Sequence, residues 1–265
     1  MKTAENLRAA LRAIDHRSYP AYKSLAGRWA FGSYVLNIER VQGDPFAAPS
    51  QVSVALDSRT ADFPPSAWQS PWCRTALEDY LLRRFARQAA RFSRQAHGSG
   101  KSGVLSVTSP GQEVLERTDC QIRDGAVTLR FEVGFPANGR TINAPELEKI
   151  LFDFLPVCVE QGLRYASTPK GEAAQVTALA EDQHFLRREL DRLGLAAFVA
   201  DGSVLPRESG VSDRPMRDAV PFQSPESMAV TLNLPHRGPL RGMGVARGLT
   251  LIAGGGYHGK STLLK

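Results

Sequence analysis

The chain has 265 residues, of which 42% are hydrophobic and 23% are charged, so it can form one large or two small globular domains. No run approaches the ~20 consecutive apolar residues that a membrane-spanning helix needs. The net charge of +6 favours an anionic partner such as a nucleotide or a nucleic acid, although many proteins of this charge bind neither.

The cysteines and histidines give no sign of a disulfide framework or a metal site. An odd number of widely spaced cysteines, with no C-x-x-C pair, indicates reduced thiols. The N-terminus leads into an amphipathic pattern and not into an apolar signal core. We therefore predict a cytoplasmic protein. The residues concerned are Cys73, Cys120, Cys158, His16, His97, His184, His236 and His258.

Hydrophobic periodicity in the first part of the chain predicts an α+β domain spanning residues 1–165. Asn143, Pro145 and Glu146 together are typical of a helix start, and Pro156 bends or ends that helix. The predicted helices cover residues 3–15, 74–96, 143–154 and a stretch reaching 163, and the predicted strands cover 31–41, 52–56, 104–108 and 127–133.

Four arginines recur at helical spacing on the predicted helix 74–96. The intervals of three, four and three place Arg84, Arg87, Arg91 and Arg94 in one basic stripe. Four such charges repel one another unless an anion lies along them, as a nucleic-acid backbone would. The alternative is a solvated helix face with scattered acidic partners.

Two glycine- and proline-rich loops in this domain have two interpretations each. The loop 42–50 is either a rigid turn between strands, which we favour, or a functional loop. The loop 98–103 resembles a phosphate loop only superficially, because it follows a helix and precedes a strand. It is either a structural turn or a nucleic-acid backbone contact through Lys101.

The second domain is predicted to span residues 166–265. Its pattern predicts a helix over 174–193, a short buried strand over 196–200, alternation over 227–234 and a turn over 241–245. About 25 residues from Asp201 to Pro225 show little periodicity. They are either a ligand-binding loop or a mobile connector.

The last stretch carries the most specific motif. Gly254, Gly259, Lys260 and Ser261 fit the phosphate-binding pattern G-x-x-x-x-G-K-[ST], between a predicted buried strand at 249–253 and a predicted helix start. Glycines allow positive φ and close approach to an anion, and the loop amides then point inward. The alternative is a glycine-rich turn without a ligand.

Each polar group of this motif has an expected role. Lys260 would reach the β- and γ-phosphates of ATP as the catalytic charge, and Ser261 would offer its hydroxyl to Mg²⁺. An ATPase also needs an acidic residue for the Mg²⁺ and a group that positions water, so we expect this chain to be the front part of a longer protein. The expected nucleotide-binding residues are Gly254, Gly255, Gly256, Tyr257, His258, Gly259, Lys260, Ser261 and Thr262.

From Gly254 to Leu264 the chain resembles the predicted ATPases of the ABC class, and strings at 41–50, 97–103 and 198–207 extend this resemblance to the whole chain. It implies ATP binding, Mg²⁺ on Ser261, homodimerisation with nucleotide between two cores, and RNA binding as an option. The implied fold is an α+β N-terminal domain followed by the beginning of an α/β P-loop core that stops after the phosphate loop. The family's signature motif, magnesium aspartate and catalytic glutamate are absent, so hydrolysis does not transfer to this chain as it stands.

Three hypotheses follow. The first is a non-transporter ABC-class ATPase that couples ATP-driven dimer closure to work on a nucleic acid. The second is a nucleic-acid-binding module that uses the arginine stripe. The third is a small-molecule kinase, because kinases use the same phosphate loop.

Overall fold

The computed structural model describes residues 2–256 and 259–264. The chain divides into two compact units, the first ending at Thr177 and the second beginning at Ala178. This division falls inside a long helix, Glu172–Arg192. The domain boundary at residue 165 stays a prediction.

The helices of the first unit begin where the sequence offers caps. Thr3 and Asn6 form a capping box at the first helix, Ser70 caps the long helix, and Asn143 caps the helix that was predicted from its start signals. A π-helical segment, Lys149–Phe154, leads directly into the helix that contains Pro156. The helices are α1 (Ala4–Ala13), α2 (Ser58–Ala61), α3 (Pro71–Phe92), α4 (Ala144–Glu148), α5 (Leu155–Leu163) and α6 (Glu172–Arg192).

Within the described residues, seven strands of the first unit form one sheet in the order β1-β2-β3-β4-β7-β5, with β6 also paired to β7. The β1–β2 pair is parallel and the other pairs are antiparallel. Two further strands form a small hairpin. The strands are β1 (Lys2–Thr3), β2 (Gly27–Ala30), β3 (Val35–Arg40), β4 (Ser50–Leu56), β5 (Leu105–Ser106), β6 (Cys120–Arg123), β7 (Ala126–Val133), β8 (Ala137–Asn138) and β9 (Thr141–Ile142).

The core of the first unit lies between this sheet and the helices. Alternation along β7 buries Val127, Leu129 and Phe131, as the sequence predicted. The apolar stripe of α3 contributes Leu81 and Phe85, whose ring lies 5.2 Å from that of Phe131. The predicted α+β architecture of this domain is therefore confirmed.

In the second unit, β10 (Leu195–Ala200) and β13 (Ala229–Leu234) flank β14 (Gly238–Ala246) in an antiparallel sheet of the described residues. A separate hairpin pairs β11 (Arg207–Ser209) with β12 (Ser212–Pro215), and α7 covers Lys260–Leu264. Strand β10 is partly exposed and not buried as predicted.

The predicted turn at 241–245 is wrong, because these residues are the centre of β14. Gly242 and Gly244 suggested a turn, but here they permit close strand approach. A Cβ atom on Gly242 would lie 2.4 Å from the carbonyl oxygen of Val199. A Cβ atom on Gly244 would lie 2.9 Å from Val230 Cγ2.

The predicted buried strand at 249–253 is also wrong. The described residues there form no strand, and Leu249 and Leu251 are exposed. A strand requires hydrogen bonds to a neighbour, and none of the described strands of the second unit pairs with this segment. Apolar composition alone therefore did not determine strand formation.

Candidate functional site

The candidate phosphate loop leads into α7 at Lys260, as predicted. The backbone N–H groups of Thr262 and Leu263 both donate to the carbonyl oxygen of Gly259 at 3.0 Å. Gly259 has φ of 77°, in the left-handed region that favours glycine. Tyr257 and His258 lie outside the described residues.

The side chain of Lys260 lies within this loop. Its ammonium donates hydrogen bonds to the carbonyl oxygens of Gly254, at 2.8 Å, and Gly255. These residues lie six and five positions upstream, so the backbone at 254–255 lies beside the lysine ammonium. An anion held by the loop would therefore meet this charge directly. The phosphate-binding roles of residues 254–262 stay predictions.

Ser261 and Gly256 are the other described loop residues whose predicted roles can be compared with the structure. Ser261 is exposed beside Lys260, so its hydroxyl is accessible to a hydrated metal ion. Gly256 does not have the positive φ that the sequence suggested, and a Cβ atom there would meet nothing within 4 Å. Its backbone conformation therefore does not require glycine.

A cavity of about 600 Å³ lies beside the phosphate loop, within the second unit. Gly259, Lys260 and Thr262 line one side of it. Its size is typical of small-ligand sites, which range over about 300–1,000 Å³. The other side comes from the segment after β10 and is mainly apolar: Leu205, Pro206, Arg207, Met216, Val220 and Phe222.

That apolar side belongs to the segment 201–225, which the sequence left undecided between ligand loop and connector. Gly202 N donates to Phe222 O at 2.8 Å, and Phe222 N donates to Ser203 O at 2.9 Å. The carboxylate of Asp201 accepts from Ser224 N at 2.6 Å and from Arg241 at 3.3 Å. These hydrogen bonds argue against a mobile connector, and the ligand-loop interpretation stays a prediction.

The predicted arginine stripe requires correction at Arg84. This residue is only 6% exposed, because the end of α5 and the residues that follow it cover the side chain. The guanidinium donates to the carbonyl oxygens of Gln161 and Ser167 and to the hydroxyl of Thr168, at 2.5–2.7 Å. Burial lowers the pKa of Arg84. Arg84 therefore stabilises the packing of α3 against residues 161–168 and does not belong to an exposed basic stripe.

The remaining three arginines are exposed, but only Arg87 and Arg91, four residues apart, share a face of α3. Helix α3 ends at Phe92, so Arg94 lies beyond it with φ of 66°. Arg87 is exposed, and Arg91 is exposed with a 2.9 Å hydrogen bond to Gln88. Their contact with nucleic acid stays a prediction.

The loop 98–103 is built into the first unit. Ser99 N donates to Ala137 O, and Lys101 N donates to Pro45 O, both at 2.7 Å. These bonds support the structural-turn interpretation for the backbone. The Lys101 side chain is exposed, so the alternative of a nucleic-acid contact also stays open.

The described residues of the two units offer no metal-binding cluster. Among them, no group of three or more His, Cys, Asp and Glu side chains is arranged to hold a metal ion. Burial raises the pKa of Cys158 to about 12, and it also raises the pKa of Cys120. These thiols therefore remain protonated at neutral pH and contribute as buried apolar groups.

Comparison with protein families agrees with the two-part organisation. The N-terminal domain of ATPases of the ABC class matches residues 4–166, and the P-loop domain of ABC ATPases matches residues 169–265. The chain belongs to the family of ABC-class ATPases. A comparison with curated proteins found no match. None of the described helices has the length and apolar character that crossing a bilayer requires.

Sequence reasoning did not identify the apolar side of the cavity. Phe222 lies 32 residues before Gly254 and sits in a stretch without periodicity. The available signal was composition, because residues 201–225 combine isolated apolar side chains with charges, glycines and prolines. That composition suggested a ligand loop but did not indicate which side chains line the cavity.

Proposed function

We propose that this chain binds ATP and works as part of a non-transporter ABC-class ATPase, with the triphosphate held by residues 254–262. The observation that carries the proposal is the position of Lys260, whose ammonium lies within its own loop and beside a cavity of about 600 Å³. The family assignment favours this ATPase hypothesis over a small-molecule kinase.

Each residue of the loop has a physical role in this proposal. Lys260 exchanges its bonds to the Gly254 and Gly255 carbonyls for bonds to phosphate oxygens, which are stronger because both partners are charged. Gly259 provides the positive φ that turns the backbone into α7. Ser261 is the side chain that would hold Mg²⁺, and that ion, when bound, would neutralise phosphate charge.

The apolar side of the cavity supplies a place for the adenine base. Phe222 is held through both its backbone N–H and its carbonyl group, so its backbone has little entropy to lose on binding. Aromatic and apolar side chains are suited to the faces of a purine. We therefore propose that the base lies against Phe222 and Met216.

Binding of ATP and of inorganic tripolyphosphate to the full chain tests these assignments separately. Phe222→Ala should weaken ATP binding by about tenfold and leave tripolyphosphate binding unchanged, because loss of one stacking contact costs ~1–3 kcal/mol. Lys260→Ala should weaken both. Equal ATP affinity for Phe222→Ala and wild type would contradict the placement of the base against Phe222. Unchanged binding of both ligands by Lys260→Ala would contradict the assignment of residues 254–262 as the phosphate site.

A second proposal concerns the partner of the first domain. We propose that this domain, residues 1–165, binds RNA or another single-stranded nucleic acid. We also propose that the protein works in the cytoplasm as a homodimer, whose two subunits close on each other when ATP binds. The net charge of +6 and the exposed side chains of Arg87, Arg91 and Lys101 support it. Binding that weakens steeply with salt is expected, and its absence would exclude this role. Sedimentation with and without ATP tests the dimer, which a monomer under both conditions would exclude.

A further inference from the structure

Three loops of the first unit meet at one end of its sheet. The first, residues 42–50, connects β3 to β4, the second is residues 97–103, and the third is residues 134–142, which follow β7 and contain the β8–β9 hairpin. Ser50 pairs with Val133 at this end of the sheet. The loops are far apart in sequence and are joined by hydrogen bonds.

Gln42 and Ser102 join the loops through their buried side chains. Gln42 is 3% exposed, and it donates to Asp44 O and accepts from Phe135 N, both at 3.0 Å. The hydroxyl of Ser102 accepts from Ala137 N at 3.1 Å. Together with the backbone bonds of Ser99 and Lys101, these contacts fix the three loops relative to one another.

Glycines in these loops leave no room for a side chain. A Cβ atom on Gly100 would lie 2.4 Å from Pro45 O. A Cβ atom on Gly134 would lie 1.8 Å from Lys101 O. The loop backbones therefore pack directly against each other and hold one another in place.

One aromatic side chain and two cationic side chains are exposed on these joined loops. Phe46 is 63% exposed, and its backbone N–H donates to Asp44 Oδ1 at 3.0 Å. Arg140 is 78% exposed and is oriented through its Nε by Asp44 Oδ2 at 2.9 Å. Lys101 is exposed, and its backbone N–H is bonded to Pro45, the residue before Phe46. We call Phe46, Lys101 and Arg140 the three-loop surface.

We infer that the three-loop surface is a contact site for single-stranded nucleic acid, with one unpaired base stacked on Phe46 and the flanking phosphates bound by Lys101 and Arg140. This inference rests on the proposed nucleic-acid role and specifies where it is performed. An exposed ring can stack only on a base that is not already stacked on both sides, which favours a single strand over a duplex.

Charge and rigidity both suit this ligand. Asp44 is the acidic residue of the 42–50 loop, and its carboxylate already accepts hydrogen bonds from Phe46 and Arg140. Asp44 Oδ2 is bonded to the Nε of Arg140, so the Nη groups of this guanidinium are the donors that a phosphate would use. Because the backbone is fixed, little backbone conformational entropy is lost on binding.

The test measures binding of fluorescein-labelled 12-nucleotide single strands, oligo-U and oligo-dT, to the full chain over a range of salt concentrations. Phe46→Leu should weaken binding by roughly tenfold, whereas Phe46→Tyr, which keeps the ring, should stay within about twofold. Lys101→Ala and Arg140→Ala should each reduce the slope of log K against log salt by about 0.7.

Exposed cations elsewhere in the first unit provide matched controls. Lys23→Ala and Arg123→Ala should leave both affinity and slope unchanged. Circular dichroism melting of every variant shows that the fold is retained. Equal losses for Phe46→Leu and Phe46→Tyr would overturn the stacking assignment.

The remaining outcomes distinguish this inference from the proposed functions. Binding of a 12-base-pair duplex as tightly as the single strand would overturn the inference, and so would equal competition by polyglutamate. Strand binding that is weakened by Arg87→Ala and Arg91→Ala but not by the Phe46, Lys101 and Arg140 variants would keep the nucleic-acid function and remove this surface. Absence of any strand binding would remove both, while ATP binding, measured in parallel, would still stand on its own.

Discussion

Replacing Arg84 by alanine tests whether this side chain supports the fold or binds an anion. Its three hydrogen bonds come from a charged donor, and each such bond contributes at least about 1.5 kcal/mol. The substitution also removes a charge that burial disfavours, so part of the loss is offset. The expected net loss in the free energy of unfolding is about 3 kcal/mol, or a fall of about 6–12 °C in Tm for a unit of this size.

Tryptophan fluorescence during urea unfolding measures this loss for the first unit alone. All three tryptophans of the chain, Trp29, Trp68 and Trp72, lie in that unit. Arg87→Ala is the matched control, since Arg87 is exposed on the same helix and its removal should change stability by less than about 0.5 kcal/mol. Equal stability of the Arg84→Ala and Arg87→Ala variants would contradict the stabilising role of Arg84.

Two further predictions concern buried groups of the first unit. Burial raises the pKa of Glu78 above its ordinary value of 4.5, so the folded chain holds this proton more tightly and stability falls as pH rises from 4.5 to the folded pKa. Glu78→Gln keeps an oxygen that accepts from the Ile122 N–H but does not titrate. The urea midpoint of this variant, relative to that of the wild type, should therefore rise with pH over that window and be constant above it. A difference between the two midpoints that does not depend on pH would contradict the raised pKa. Gly103→Ala should lower the free energy of unfolding by about 2–4 kcal/mol, because φ is 73° and the new Cβ atom would lie 1.9 Å from Ala96 O. Gly139→Ala, with φ of 62° and open space, should lower it by only about 1 kcal/mol, and equal losses would show that the contact is unimportant.

Regular patterns made much of the first unit predictable. The alternation of β4 and β7 and the capping signal at Asn143 led to the observed elements because each depends on neighbouring residues alone. Strands β2 and β6 were missed, since four residues each give too short a pattern to stand out from the surrounding turns. Pairing to a longer neighbour stabilises them, and sequence periodicity does not report such pairing.

The errors in the second unit have a common physical cause. Whether Gly242 and Gly244 lie in a turn or in a strand depends on how closely the neighbouring strands approach, which is a tertiary property. The same holds for residues 249–253, whose apolar character is compatible with a strand only if a partner strand is present.

The candidate sites show the same division between local and tertiary information. Helical spacing correctly placed Arg84 on α3, but it could not show that residues 161–168 cover that side chain. The motif located Lys260, whereas Phe222 and the three-loop surface become visible only when segments distant in sequence are brought together. The motif therefore predicted the phosphate loop, whereas the side chains that line the cavity beside it could be identified only from the structure.

Titration of ATP into the full chain by calorimetry, with Lys260→Ala compared to the exposed control Lys23→Ala, tests the central claim most directly. One charge-assisted contact contributes about 1.5–3 kcal/mol, so Lys260→Ala should bind ATP roughly tenfold to a hundredfold more weakly than wild type. The Lys23→Ala variant should bind as wild type does. Wild-type affinity in the Lys260→Ala variant would contradict the assignment of residues 254–262 as the triphosphate site.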